Sequence, residues 1–431
     1  MIQAGSASLQ ITPADALIDM PRRIVASGLP AGTAHVTATL QHPDGSRWRS
    51  TADFEVGADG VLDLDARAPL RGDWDVADAM AVVWAMRREA APTAAELSEE
   101  TAALQIVVEV VAGPQRLEAS FVQRYESAGV SRSELRGEIS GTLFTPATPG
   151  PHPAIVVMNG SGGGIPRQRA ALYAAHGYLA LALGYFKAPG RPDYISETPL
   201  EYFEQALQWL HRTHAPRRGF VAVTGQSRGG ELSLLLGSRF PRLVSAVIAY
   251  VPSSVVHGSL RAGRPGQAPD APVWTWQGEP LRNVWQDNPS ADWTAFLQAP
   301  PDGAPVRQEP AFRTAMAHAP SVAAARVPVE QIAGPVMLVS GTDDGFWPSA
   351  EYSQQIAATL HAHGHQWAVE HVRCEGAGHA IGLPHHPATL IAKPHPVAGL
   401  VLSGGGTARA NAHANRSAWT AVLRFLREAS A

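Results

Sequence analysis

From Ala154 onward, short and wholly apolar runs alternate with segments of helical length, and this alternation limits what the chain can fold into more than any other feature. AIVVM at 154–158, YLALAL, VAVTG, SAVIAY, PVMLVSG and WAVEHV read as strands. Helices are expected from Arg167 to His176, Leu200 to His211, Gly229 to Phe240, Ser349 to His363 and Ala412 to Leu426. Strands with no polar alternation must be covered on both faces, which defines an α/β domain with a mostly parallel, doubly wound sheet. The stretch 252–333 breaks the pattern. It is rich in Pro and Gly and carries Trp274, Trp276, Trp285 and Trp293. A structureless loop of that length is improbable in a compact domain, so a folded insertion or cap over the carboxyl edge of the sheet is expected.

Upstream the grammar differs. RRIVASGL, AHVTATLQ, RSTADFEV and VLDLDA are short alternating runs separated by turn signals such as HPDGS and GADG, as in a small antiparallel β-sandwich. At 431 residues the chain exceeds what one hydrophobic core usually supports, and two domains are expected, 1–132 and 133–431. A hydrophobic content of 45% with 17% charged residues excludes disorder as the default. The 34 basic and 38 acidic residues are scattered, so neither a nucleic-acid face nor a polybasic membrane patch is suggested, and a small-molecule substrate is expected. The opening MIQAGSASLQITPADAL lacks the basic start and apolar core of an export signal, and no membrane span is visible. A cytoplasmic protein is therefore expected. Nothing in the sequence bears on oligomeric state. The single cysteine, Cys374, excludes an intramolecular disulfide and reads as a packed core residue.

Gly225-Gln226-Ser227-Arg228-Gly229 is a G-x-S-x-G motif whose context carries more weight than the motif. VAVTG is a strand ending on its first glycine, and GGELSLLLGSRF opens a helix just after the serine. Glycines flank a nucleophile on so sharp a turn because side chains there would meet neighbouring backbone. The bland alternative is a helix N-cap serine. A serine hydroxyl needs a base to take its proton, and the base needs a carboxylate to hold its tautomer. GTDDGFWP follows the strand PVMLVS and EGAGHAIGLP follows WAVEHVR, so an aspartate and His379 sit at successive strand ends after the serine. Of 17 histidines, His379 is singled out by position; His361, His363 and His365 read as an exposed helix end, and His385, His386 and His395 as loop surface. No paired carboxylate and histidine spacing of a hydrolytic metal site is present, and neither metal nor cofactor is expected.

Asp343 and Asp344 compete for the acid role. Asp344 lies one residue further from the strand and four before Pro348, which favours it, leaving Asp343 to cap the following helix or bond within the turn. Asn159-Gly160-Ser161-Gly162-Gly163-Gly164 matches no phosphate-binding pattern. With the Arg228 N–H as one oxyanion donor, Ser161 and Gly162 of this loop are expected to supply the other. The four tryptophans of the insertion are expected to wall an acyl pocket.

The segments ITPADALIDMPRRIVASGLPAG, MNGSGGG, LEYFEQALQWL, GQSRGGELSLLL, VSGTDDGFWPS and EGAGHAIGLP, in this order, resemble the acyl-CoA thioesterase and bile acid-CoA:amino acid N-acyltransferase family across nearly the whole chain. The resemblance implies an immunoglobulin-like β-sandwich followed by an α/β-hydrolase domain, with Ser227, Asp344 and His379 as the triad, the second aspartate of the pair being the family's acid. It implies attack on an acyl-CoA thioester and transfer of the acyl group to water, glycine or taurine. The conjugating branch characteristically uses cysteine, so a serine at 227 favours water. The chain ends REASA, without a peroxisomal S-K-L. The leading expectation is a cofactor-free serine thioesterase or esterase; an acyltransferase acting on an amine or alcohol and a non-catalytic scaffold are the alternatives.

Overall fold

The computed structural model describes residues 6–93, 100–294, 300, 302–394 and 400–431. They fall into two compact units, one of Met1–Ser127, Gly382–Leu390 and Thr407–Arg416, the other of Ala128–Ile381, Ile391–Gly406 and Ser417–Ala431.

The first unit is a β-sandwich. Its small sheet pairs Ser8–Thr12, Arg23–Ser27 and Leu62–Asp63. Its larger sheet is built on Gln115–Arg124, Leu104–Ala112, Gly32–Gln41 and Arg47–Val56, paired antiparallel in that order. Alternate residues face inward, so Ala34, Val36, Ala38 and Leu40 are buried opposite Ile106, Val108 and Val110. That is the period-2 signal of a sheet with one wet face. The two longest runs of alternation after residue 66, Leu104–Ala112 and Gln115–Arg124, extend the strand set read from the sequence.

The second unit holds an eight-stranded sheet. In chain order its strands are β1 (Ser131–Leu135), β2 (Ser140–Thr145), β3 (Ala154–Met158), β4 (Leu179–Gly184), β5 (Val221–Gln226), β6 (Ala246–Tyr250), β7 (Val336–Gly341) and β8 (Val369–Cys374). Their spatial order is β1-β2-β4-β3-β5-β6-β7-β8, antiparallel at the first two pairings and parallel thereafter. The six strands from β2 to β7 are almost wholly buried, as a sheet sandwiched by helices requires. The helix Leu200–His214 shows how the covering works: Tyr202, Phe203, Ala206, Leu207 and Leu210 recur at three- and four-residue spacing and are all buried, while its last turn carries His211, Arg212 and His214. This order of strands with helices on both faces is the α/β-hydrolase fold.

The 252–333 stretch is folded where it is described. Trp274–Trp276 pairs with Thr198–Pro199 and Glu279–Pro280, and the helices Glu309–Met316 and Ala319–Ala325 follow. Val255, Val284, Trp285, Phe312, Trp347 and Tyr352 gather in a hydrophobic cluster of their own. No helix among the described residues is long and apolar enough to cross a membrane.

Candidate active site

Ser227 stands between β5 and the helix Arg228–Arg239 with φ 61° and ψ −120°. A non-glycine residue held there is strained and needs a surrounding structure that over-determines it. The support is visible: the Ser227 N–H donates to the Tyr250 carbonyl at 2.9 Å, and its own carbonyl accepts from Gly230 and Glu231 at 2.8 and 3.0 Å. Gly229 must lack a side chain, because a Cβ there would lie 2.8 Å from the Asn159 carbonyl oxygen and 3.0 Å from that of Met158. The turn is thus a sharp elbow pressed against the end of β3, with the serine raised at the helix N-terminus.

His379 lies in the loop after β8. Its Nδ1 is 2.9 Å from both carboxylate oxygens of Asp344, and both side chains are buried. Asp344 is itself held by the Phe346 and Trp347 N–H groups, which donate to Oδ1 at 2.9 and 3.3 Å. The ring of Phe346 covers the imidazole at a centroid distance of 4.5 Å. The His379 N–H donates to the Gly404 carbonyl at 2.8 Å and the Gln226 side-chain amide donates to the His379 carbonyl at 3.0 Å, fixing the loop against the elbow. With Nδ1 on the carboxylate, Nε2 is the basic nitrogen, and it is buried without a hydrogen-bond partner.

A second buried histidine makes the contrast. His257 is fully buried and uses both nitrogens: Nδ1 accepts from the Trp285 indole at 2.9 Å, so Nε2 carries the proton and donates to Ser253 Oγ at 3.0 Å. Burial holds this imidazole well below its ordinary range, and it stays neutral. Of the two, only His379 has a nitrogen without a partner among the described residues, and His379 lines a cavity.

That cavity, of about 520 Å³, is lined by Ser227, Arg228, His379 and the glycine loop from Asn159 to Gly163, with Leu260, Phe312, Phe346, Trp347 and Leu402 supplying apolar wall. The structure therefore brings together Ser227, Asp344, His379, Arg228, Ser161 and Gly162. The Asn159 amide donates to the Gly163 carbonyl at 2.8 Å, and Tyr185 donates to the Asn159 carbonyl at 2.7 Å, so the glycine loop is anchored. The Arg228 N–H belongs to the first helical turn and has no partner within the helix.

The four tryptophans lie elsewhere, which corrects the expectation that they wall the pocket. Trp274 is fully buried in the core below the elbow and donates to Glu231 Oε1 at 2.8 Å. Trp276 packs on Phe240 and under Arg239. Trp285 is buried against His257, and Trp293 rests on Trp285 at 4.6 Å. Trp274 and Trp285 sit where buried area and a hydrogen-bond acceptor coincide. Asp343 is also corrected: it neither caps a helix nor bonds within its turn, but accepts from Arg307 at 2.8 Å and from the Gly406 N–H at 2.8 Å. His385 is buried and His386 half-buried with Nε2 2.9 Å from the Tyr125 hydroxyl, rather than loop surface; His395 lies outside the described residues. His361 and His363 are exposed, and His365 is half-buried with Nε2 3.0 Å from the Gly334 carbonyl. Cys374 is buried and its thiol is pushed up to about 11, which suits a packed residue and not a nucleophile.

Sequence reasoning missed the buried ion pair of the elbow helix. Arg228 and Glu231 are almost fully buried and meet at 3.0 Å, and the guanidinium also donates to the carbonyls of His257 and Gly258 at 3.0 and 2.8 Å. The i,i+3 spacing was readable as a helix pair, but its burial was not.

A serine on a strand-to-helix elbow, an Asp–His pair at later strand ends and this strand order define an α/β-hydrolase. Residues 19–137 match the family described as acyl-CoA thioester hydrolase/BAAT N-terminal region, and residues 198–273 and 295–431 match BAAT / acyl-CoA thioester hydrolase C terminal. The chain belongs to this family. It is 29% identical to acyl-coenzyme A thioesterase 1 of Homo sapiens, covering 94% of this chain and 93% of that protein. It is 26% identical to acyl-coenzyme A amino acid N-acyltransferase 2 of Mus musculus, covering 97% and 96%. Among solved structures, the Pyrococcus horikoshii acylaminoacyl peptidase overlays with a TM-score of 0.38 at 12% identity, over 88% of this chain and 58% of that one.

Proposed function

We propose that the chain hydrolyses acyl-CoA thioesters through an acyl-serine intermediate, in a catalytic domain spanning 133–431. The observation that carries this reading is the unpartnered Nε2 of an imidazole whose Nδ1 is held 2.9 Å from Asp344, on the wall of the cavity that contains Ser227. Ser227 Oγ attacks the thioester carbonyl while its proton passes to His379 Nε2, and Asp344 stabilises the imidazolium. The carbonyl electrons move to oxygen, where the N–H of Arg228 and those of Ser161 and Gly162 receive them. As they return, the carbon–sulfur bond breaks and the leaving thiolate takes the proton from Nε2. Water then attacks the acyl ester, giving a proton to His379; the ester bond breaks, Ser227 recovers the proton and the acid leaves. No cofactor enters the sequence.

Water is favoured over an amine as acceptor because an acyl-serine ester resists aminolysis more than an acyl-cysteine thioester does. The test uses the purified chain with acyl-CoAs of graded length and p-nitrophenyl esters, following free thiol and product mass, with and without millimolar glycine or taurine. Free acid is expected as the main product, and Ser227→Ala is expected to abolish both turnover and labelling by a fluorophosphonate probe. Stoichiometric labelling of that variant would overturn the assignment of the nucleophile, and amide as the major product would overturn hydrolysis.

A further inference from the structure

Arg261 differs from the other enclosed arginines. Arg22, Arg169, Arg191 and Arg228 each donate to backbone carbonyls. Arg261 lines the cavity with Ser227 and His379, and its Nε and Nη2 are shielded from solvent without a hydrogen-bond partner among the described residues. Among the described residues that line the cavity there is no carboxylate; of the other cations on its wall, Arg228 is spent on Glu231 and on the carbonyls of His257 and Gly258, and Lys393 is exposed. Burial lowers the affinity of the Arg261 guanidinium for its proton. Two guanidinium nitrogens shielded from solvent with no acceptor are unfavourable unless something else pairs with them.

The backbone that carries Arg261 is built to hold it there. Arg228, the residue after the nucleophile, donates through its side chain to the carbonyls of His257 and Gly258. Ser259 and Leu260 donate to Ala271 and Pro269 at 2.8 and 2.7 Å, and the Ala262 carbonyl accepts from Ile195 at 3.1 Å. The elbow and the backbone that carries Arg261 are thus tied together by one buried side chain.

We propose that Arg261 recognises an oxyanion carried by the substrate, a carboxylate or a phosphate, and so sets the anionic character of what this cavity accepts. A planar guanidinium pairs with either group through two parallel N–H donations, which resolves its own missing partner and fixes the substrate's register. The inference rests on the reading of the cavity as an acyl-thioester site. On that reading the anion is either a carboxylate at the far end of the acyl group or a phosphate of the CoA moiety.

Three thioesters separate the two sources: butyryl-pantetheine carries neither anion, glutaryl-pantetheine only the carboxylate, and butyryl-CoA only the phosphates. Arg261→Gln is expected to lower kcat/KM for one or both anionic substrates about tenfold or more beyond its effect on butyryl-pantetheine, with the loss in KM. Loss on glutaryl-pantetheine assigns the carboxylate, and loss on butyryl-CoA the phosphate. Arg261→Lys, which keeps the charge and loses the fork, is expected to recover part of the loss. Equal factors on all three substrates in both variants would show a structural role and overturn the proposal. Should the unaltered enzyme cleave no thioester, the thioesterase reading fails, and the same contrast is read with p-nitrophenyl butyrate against the p-nitrophenyl monoester of glutaric acid.

Discussion

Asp343 and Asp344 are adjacent in sequence and turned to different partners: Asp344 receives His379 Nδ1 at 2.9 Å on both oxygens, while Asp343 receives Arg307 and the Gly406 N–H at 2.8 Å each. Removing charge from the two should therefore have different consequences. Asp344→Asn is expected to lower kcat by about 10²- to 10⁴-fold, because an amide no longer holds the tautomer that leaves Nε2 basic. Asp343→Asn keeps an acceptor for the Gly406 N–H and loses an ion pair that is about half exposed, so its effect on kcat should be small. Steady-state kinetics on the two variants decides this, and the reverse ranking would remove Asp344 from the triad.

The elbow and the glycine loop are in close contact. A Cβ on Gly160 would stand 2.6 Å from the Gln226 carbonyl oxygen, 3.2 Å from Ser227 Cβ and 3.4 Å from Arg228 N, whereas one on Gly162 would meet nothing within 4 Å. Gly160→Ala must push the loop, with the Ser161 and Gly162 N–H groups, away from the elbow and the Arg228 N–H, and a loss in kcat of about 10²-fold is expected. Gly162→Ala keeps its N–H and should cost far less. Equal kinetics for the two would mean that the loop takes no part in stabilising the oxyanion.

Selectivity for the acyl chain should follow the cavity wall and not the tryptophans of the insertion. Phe312→Ala and Leu402→Ala enlarge the wall and are expected to move the preferred chain length, since each removes apolar area that a chain would bury. Trp276→Ala, outside the wall, is expected to leave the chain-length profile in place. Profiles measured across acyl-CoAs of even length test this, and a shift confined to Trp276→Ala would relocate the pocket.

His385 ties acid stability to burial. Its imidazole is pushed down to about 4 by burial first and then by Arg416, with Arg22 acting the same way and Asp78 and Asp19 opposing. The unfolded chain binds the proton near pH 6.5, so between about 6.5 and about 4 the unfolded state holds more protons than the folded one. The stability is complete above that window and falls as the pH drops through it, by up to about 3 kcal/mol. His385→Asn suits the positive φ of 55° at this position and removes the titration. Its unfolding midpoint should fall less between pH 7.5 and pH 5 than that of the unaltered chain, and an unchanged acid limb would show that His385 does not contribute.

The sheet, its covering helices and the elbow were legible in the sequence because their signals are local. Apolar runs such as AIVVM and VAVTG have nowhere to sit but a sheet covered on both faces, and the glycines around Ser227 mark a turn whose sterics depend on residues a few positions apart. The chain order of Ser227, Asp344 and His379 was readable for a related reason, since successive parallel strands deliver their carboxyl ends to the same edge. Side-chain destinations in three dimensions were not. Nothing near Trp274 in sequence announces that Glu231, 43 positions earlier, will accept its indole N–H, and nothing in the His385 neighbourhood announces its burial. The same holds for Arg228, whose guanidinium is spent on carbonyls of the 257–258 segment, and for Arg261, left without a partner on the cavity wall. Periodicity states which face of an element is apolar, but which polar atoms meet across the core, and which are left over for a substrate, depends on long-range packing that only the folded chain decides.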